Sequence, residues 1–168
     1  MKICFVTTEF VSEPSDFDGG LANYIYKIAK ALTNEGHEVL VLVQSTESKS
    51  FFYENIPVER VRVNINNNFV SFISRILNKG EYFEWIYSSF ILNKRLRQLN
   101  KVKNFDIVQY SSFRATALFR PQNITCIVRL SSFHPYWNGV IDSELTDKTD
   151  IALSKLEQRA VKKSRCGI

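Results

Sequence analysis

Three features of the sequence predict an α/β domain on an open, mostly parallel, Rossmann-like sheet with helices on both faces. Short apolar segments recur along the chain, the stretches between them carry apolar residues at helical spacing, and the two kinds alternate. The apolar segments are continuous runs, as strands buried on both faces of a parallel sheet require. A length of 168 residues suits one core, so residues 1–168 are expected to form a single domain. With 45% hydrophobic and 23% charged residues, the composition is that of an ordinary globule.

The first strand is expected over Lys2 to Thr8. A loop from Glu9 to Gly19 follows, with Pro14, Ser15, Asp16, Asp18 and Gly19 supplying turn chemistry. Leu21, Ile25, Ile28 and Leu32 recur at helical spacing and Gly36 supplies a C-terminal stop, so a helix opens near Leu21. Glu38 to Gln44 is the second strand, and the resulting βαβ unit should cross over right-handedly. Val58, Val61, Val63 and Ile65 mark a third strand over Pro57 to Ile65. Two helices follow, near Phe69 to Leu77 and Glu81 to Lys101, separated at Gly80. Phe105 to Tyr110 and Ile124 to Leu130 are further strands with a brief helix, Ala115 to Phe119, between them. Ile151, Leu153, Leu156, Ala160 and Val161 define a last helix over Asp150 to Lys163.

The net charge of +5 suits nucleic acid, an anionic membrane face or a phosphorylated substrate. Much of the excess is local, in Arg75, Lys79, Lys94, Arg95, Arg97, Lys101 and Lys103. Those residues fit a solvated helix face or peripheral contact with a membrane, and the alternative to an enzyme is a non-catalytic α/β binding module whose basic surface takes an anionic membrane or polyanion. Thirteen Phe and seven Tyr fill a core first and can also meet sugar rings or lipid. Nucleic-acid binding is not expected, because RNA readers display aromatics among basic residues on a sheet and these lie on predicted helices. Cys4, Cys126 and Cys166 form no C-x-x-C pair, which argues against a zinc site and a disulfide framework and for a reducing cytoplasm. The sequence runs directly into its first strand and has neither a leader pattern nor a long apolar span, so a cytoplasmic location is expected, with the inner membrane face as its peripheral variant.

Open parallel sheets bind ligands beyond the carboxyl ends of their strands. The segments after Thr8, Tyr110 and Leu130 are therefore the candidate site. Asp18-Gly19-Gly20-Leu21-Ala22 opens the first helix, where backbone N–H groups and the helix dipole favour an anion. Gly19 and Gly20 can serve that purpose or simply let the chain turn. The dinucleotide fingerprint G-x-G-x-x-G is absent and the second strand ends in Gln44-Ser45 without a ribose-binding acid, which argues against a nicotinamide oxidoreductase.

The Gly19-Gly20-Leu21 loop, the helix end Leu32-Thr33-Asn34-Glu35-Gly36-His37-Glu38-Val39 and the strand Leu40-Val41-Leu42-Val43 together resemble the opening of glycosyltransferase family 4. Phe105-Asp106-Ile107-Val108 is similar to the family's fourth-strand segment, and Leu156-Glu157-Gln158-Arg159-Ala160-Val161 to the helix that precedes the return toward the cleft. The resemblance implies the N-terminal half of a GT-B enzyme, with two Rossmann-like domains facing across a cleft and sugar transfer with retention. It implies a nucleotide sugar as co-substrate, a carbohydrate or lipid-linked acceptor, and a C-terminal donor-binding domain beyond the end of this chain. No metal or other cofactor is expected.

By the same resemblance, Gly19, Gly20 and Leu21 approach the donor diphosphate. Relatives often read Val-Arg-Leu-His where this chain reads Val128-Arg129-Leu130-Ser131, followed by Ser132-Phe133-His134. The catalytic candidates are accordingly Ser131, by hydrogen bonding to a sugar hydroxyl, or His134, reaching back from the loop. Glu9, Tyr110, Ser111, Arg114, Arg129 and Ser132 are expected to line the acceptor side, with Arg129 orienting an acceptor anion or anchoring the loop. His37 belongs to the turn signature and reads as structural.

Overall fold

A computed structural model describes residues 1–11, 19–64, 80–130, 148–162 and 166–167. Among them, strands β1 (Lys2–Thr7), β2 (Glu38–Ser45), β3 (Lys49–Tyr53), β4 (Ile56–Arg62), β5 (Ile107–Ser111), β6 (Thr125–Arg129) and β7 (Cys166–Gly167) form one sheet in the order β3-β4-β2-β1-β5-β6-β7. Every pairing is parallel except that of β3 with β4. The helices are α1 (Gly20–Asn34), α2 (Gly80–Lys103) and α3 (Lys148–Lys162). The expected open α/β sheet is present, and the expected helix over residues 69–77 lies outside the described residues.

Strand period two divides the core between the two faces. Ile3, Phe5, Val39, Val41 and Val43 pack with Leu21, Ile25 and Ala29 of α1. Cys4, Val6, Leu40, Leu42, Val108 and Val128 pack on the other face with Trp85, Leu92 and Leu96 of α2 and Leu153, Leu156 and Ala160 of α3. Trp85, Leu92 and Leu96 thus point inward as their spacing suggests. Burying a leucine as completely as Leu92 contributes about 1.5–3 kcal/mol.

Helix α1 ends as the Gly36 stop predicts. Gly36 takes φ +82°, its N–H donates to Thr33 O at 3.0 Å, and the His37 N–H donates to Leu32 O at 3.0 Å. This pair of bonds satisfies two of the last carbonyls of the helix and turns the chain into β2.

Besides β7, a strand that the sequence reading lacked, two elements differ from expectation. The strand predicted over Pro57 to Ile65 runs over Ile56–Arg62 and is preceded by β3, an antiparallel partner that the sequence reading lacked. The two are joined by Glu54 and Asn55, both at positive φ (45° and 69°), the requirement of a two-residue primed turn. The brief helix expected over Ala115 to Phe119 is a 3₁₀ turn at Phe113–Ala115, in which Arg114 and Ala115 have φ of 55° and 51°.

Candidate functional site

From β1 the chain proceeds to β2 and then β4 on one side, and afterwards reverses to β5 and β6 on the other. The reversal leaves a crevice between the carboxyl ends of β1 and β5, the position where open α/β sheets take ligands. Parallel register brings the ends together: Val6 lies opposite Tyr110, and Tyr110 opposite Val128. The first strand, the fifth and the sixth therefore open on the same edge, as the sequence predicts for Thr8, Tyr110 and Leu130.

Gly19 caps α1 with φ 118° and ψ −167° and contributes no side-chain cap, a conformation that is essentially reserved for glycine. The first intrahelical bond runs from the Asn23 N–H to Gly19 O at 3.1 Å. The N–H groups of Gly20, Leu21 and Ala22 consequently have no intrahelical acceptor and lie at the positive end of the dipole. Gly19 and Gly20 are exposed, and a Cβ on Gly20 would meet nothing within 4 Å. The Leu21 side chain, by contrast, is buried among β1 and β2 and anchors the turn.

Glu9 faces this turn from the end of β1. Its Oε2 is 3.7 Å from where a Gly19 Cβ would stand. Thr7 fixes the backbone there: Thr7 Oγ1 accepts from the Glu9 N–H at 3.2 Å and donates to Glu9 O at 3.0 Å. Across the crevice, Ser111 is 2% exposed and its hydroxyl has no hydrogen-bond partner among the described residues. Native interiors rarely leave such a group unmatched.

The two arginines are differently held. The Arg129 guanidinium lies 3.6 Å from the centroid of the Tyr24 ring on α1, a close cation–π stack. Gln109 Nε2 donates to the Tyr24 hydroxyl at 3.3 Å. Arg129 is thereby directed across the start of α1. Arg114 pairs with Glu84 Oε1 at 3.6 Å, while its backbone N–H donates to Glu157 Oε1 at 3.1 Å.

Tyr110 requires correction. It was expected on the acceptor side, yet it is completely buried and its hydroxyl donates to Asn93 Oδ1 at 2.8 Å beneath α2. The cause is strand alternation: Tyr110 shares the α2 face with Val108, and the neighbouring Ser111 takes the other side. Burial pushes the Tyr110 phenol well above its ordinary value, so it stays neutral. Ser131, Ser132 and His134 lie outside the described residues, as does Asp18.

The sequence reading missed Tyr24 and Glu157. Glu157 follows Leu153 by four residues on α3 and precedes Ala160 by three, so its place in the buried stripe was available from spacing. It is fully buried and supports the turn that follows β5. Among the described residues, no three His, Cys, Asp or Glu side chains converge as a metal site would require, and no helix is long and apolar enough to cross a membrane.

The sequence model described as Glycosyltransferase Family 4 matches residues 18–166. Among solved structures, sucrose-phosphate synthase from Thermosynechococcus elongatus superposes with a TM-score of 0.65 at 10% identity, over 99% of this chain and 42% of that one. The apo UGT2 of Phytolacca americana gives 0.56 at 11% identity, over 95% and 44%. The chain thus spans less than half the length of either structure, and at these identities the likeness is one of fold. No curated protein matches the sequence.

Proposed function

Since the chain belongs to glycosyltransferase family 4, we propose that it forms the acceptor-side half of a nucleotide-sugar-dependent, retaining glycosyltransferase, with the donor-binding half outside these residues. The transfer goes to a carbohydrate or lipid-linked acceptor on the cytoplasmic side. The observation that carries this reading is the exposed, side-chain-free N-terminus of α1, set at the chain-reversal crevice between Glu9 and the unmatched hydroxyl of Ser111.

As the glycosidic bond to the donor breaks, positive charge develops on the sugar and negative charge on the departing diphosphate. The N–H groups of Gly20 and Leu21 and the dipole of α1 stabilise that second charge, and they need no reorganisation to do so. Glu9, Ser111 and Arg129 orient acceptor hydroxyls or an acceptor anion at the carboxyl edge. Arg114, tied to Glu84, and buried Glu157 hold the turn that presents Ser111. Ser131 and His134 remain the candidates for direct contact with the reacting sugar.

Holding donor and acceptor in reacting geometry is worth about 7–11 kcal/mol of barrier. The 168 residues alone are therefore expected to transfer no sugar from any of a panel of radiolabelled nucleotide sugars, and the same residues joined to a family-4 donor-binding half are expected to transfer one. Robust transfer by the 168 residues alone would overturn the half-site reading.

A second feature favours peripheral membrane contact. Phe90, Lys94, Arg97 and Lys101 lie on one exposed face of α2, because steps of four, three and four residues keep to one side of a helix. Phe119 extends that face: its ring lies edge-on to Phe90 at 5.9 Å and its carbonyl accepts from Arg97. Aromatics among cations suit an anionic bilayer surface. Arg95 is separate, being bonded to Glu59. Cosedimentation with anionic vesicles at low salt, lost at high salt and in Phe90→Ser/Arg97→Gln, is the expected result, and no retention at low salt would leave the face merely solvated.

A further inference from the structure

Arg129 is a half-buried cation held in place without a counter-charge. Its guanidinium stacks on Tyr24 at 3.6 Å, and among the described residues its side chain meets neither a carboxylate nor another hydrogen-bond acceptor. Stacking on an aromatic ring leaves the N–H fork of a guanidinium free. Both partners of the stack are fixed from behind. The Ser112 N–H donates to Arg129 O at 2.9 Å and sets the backbone at the end of β6. The Tyr24 ring packs against the core that Leu21 and Ile25 share with β1 and β2, and Gln109 of β5 donates to its hydroxyl at 3.3 Å. Strand alternation gathers these groups on the α1 side of the sheet, since Gln109 and Ser111 share a face and Arg129 lies opposite Ser111. The place disfavours a cation. Tyr24 is one turn beyond Gly20, so Arg129 lies against the opening turns of α1, where the dipole is positive. Glu9 faces the same helix start from β1 but forms no ion pair with Arg129.

We infer that Tyr24 is a positioning residue, holding Arg129 at the crevice to receive an anionic group, phosphate or carboxylate, of a substrate that enters there. The inference rests on the acceptor-side reading above and narrows the role of Arg129 from hydroxyls or an anion to an anion. Two positive features set side by side break a local rule of stability, and such breaks belong where a ligand supplies the missing charge. The guanidinium fork matches the paired oxygens of a phosphate or carboxylate. A neutral sugar would leave the charge uncompensated. Tyr24 touches no substrate in this arrangement; it removes side-chain freedom from Arg129 in advance, so that less is lost when the anion docks. The shared chemistry has two sources, the donor diphosphate and a charged acceptor.

The test is NMR of the backbone amides and the Arg129 Nε–H on the 168-residue chain, titrated separately with inorganic pyrophosphate, glucose 6-phosphate and glucuronate, with glucose as the neutral control. At least one anion is expected to give saturable shifts at Arg129 and Tyr24, and glucose none. Arg129→Gln should weaken that binding about tenfold and Tyr24→Leu about fourfold, while Tyr24→Phe, which keeps the ring, should stay within about twofold. The decisive variant is Tyr24→Leu in the Arg129→Gln background. It should bind no more weakly than Arg129→Gln alone, because the tyrosine acts through the arginine. Equal further losses in both backgrounds would show a merely structural tyrosine and overturn the inference. Binding unchanged in Arg129→Gln, or no saturable binding of any of the three anions, would also overturn it, and these two results need no folded Tyr24→Leu. A response to pyrophosphate assigns the group to the donor; a response to glucose 6-phosphate or glucuronate assigns it to the acceptor. In the chain joined to a donor-binding half, transfer unaffected by Arg129→Gln would overturn the inference and leave the activity. Arg129-dependent binding without any transfer would retire the activity and leave the inference.

Discussion

Asn93 joins several of the buried polar groups among the described residues. Its Nδ2 donates to Ser89 O at 2.7 Å and to Thr116 O at 2.9 Å, and its Oδ1 accepts from Tyr110. One side chain thus ties α2 to β5 and to the turn after it. Asn93→Leu is expected to cost about 1–3 kcal/mol for each buried group left unmatched, read as a lowered midpoint in urea with an unchanged slope. A change within error would mean that the network is not formed in solution. Burial raises the Cys4 and Cys126 thiols, Cys4 the more, and the Tyr110 phenol above their ordinary values. An acid of this kind stabilises the fold fully below its unfolded value and loses that contribution as pH rises toward the folded one. The contribution of these three groups should therefore be level below about pH 8 and fall above it, first for the thiols and at higher pH for the phenol, by up to about 1.4 kcal/mol per pH unit for each group. Thermal midpoints from pH 7 upward would check this, and Cys4→Ala should flatten the slope. At this scale the sequence was partly legible. Gly19 and Gly20 are where the pattern places them, but Tyr110 was misread because a strand end gives no sign of which face its last residues take until the register is known.

Elements were more legible than residues, because period and punctuation are local. The α1 terminus is the clearest case: Gly36 adopts φ +82° and a Cβ there would meet nothing within 4 Å. Gly36→Ala should therefore cost about 1–2 kcal/mol, the penalty of the left-handed conformation alone, and Gly36→Asn less. Equal stability of Gly36→Ala and the parent would contradict the capping geometry. The β3–β4 hairpin escaped because its turn residues are Glu54 and Asn55, with no glycine to announce a left-handed pair. The partners of Glu54 are distant in sequence. Hydrogen bonds from Lys30 and then Tyr26 on α1 hold its carboxyl below the ordinary range, and no local pattern shows them. The 3₁₀ turn at Phe113–Ala115 escaped for a similar reason, since Glu157, which receives the Arg114 N–H, lies 43 residues further along the chain.

For the whole molecule, the alternation of apolar runs and helical spacings was enough to specify the doubly covered sheet, and strand order did the rest by placing the reversal between β1 and β5. The consequence for function is that the α1 N-terminus, Glu9, Ser111 and Arg129 meet on one edge. Gly19→Ala probes that edge. It forces a side chain into φ 118° and toward Glu9 Oε2, so it should cost about 1–3 kcal/mol and displace the amides behind it. The measurement that bears most directly on the central claim is amide NMR of the 168-residue chain titrated with a nucleoside diphosphate. Saturable shifts centred on Gly20, Leu21 and Ala22, with a Kd near millimolar and loss in Gly19→Ala, are the predicted result. Saturable binding that leaves those three amides unmoved, or no binding at all, would contradict it.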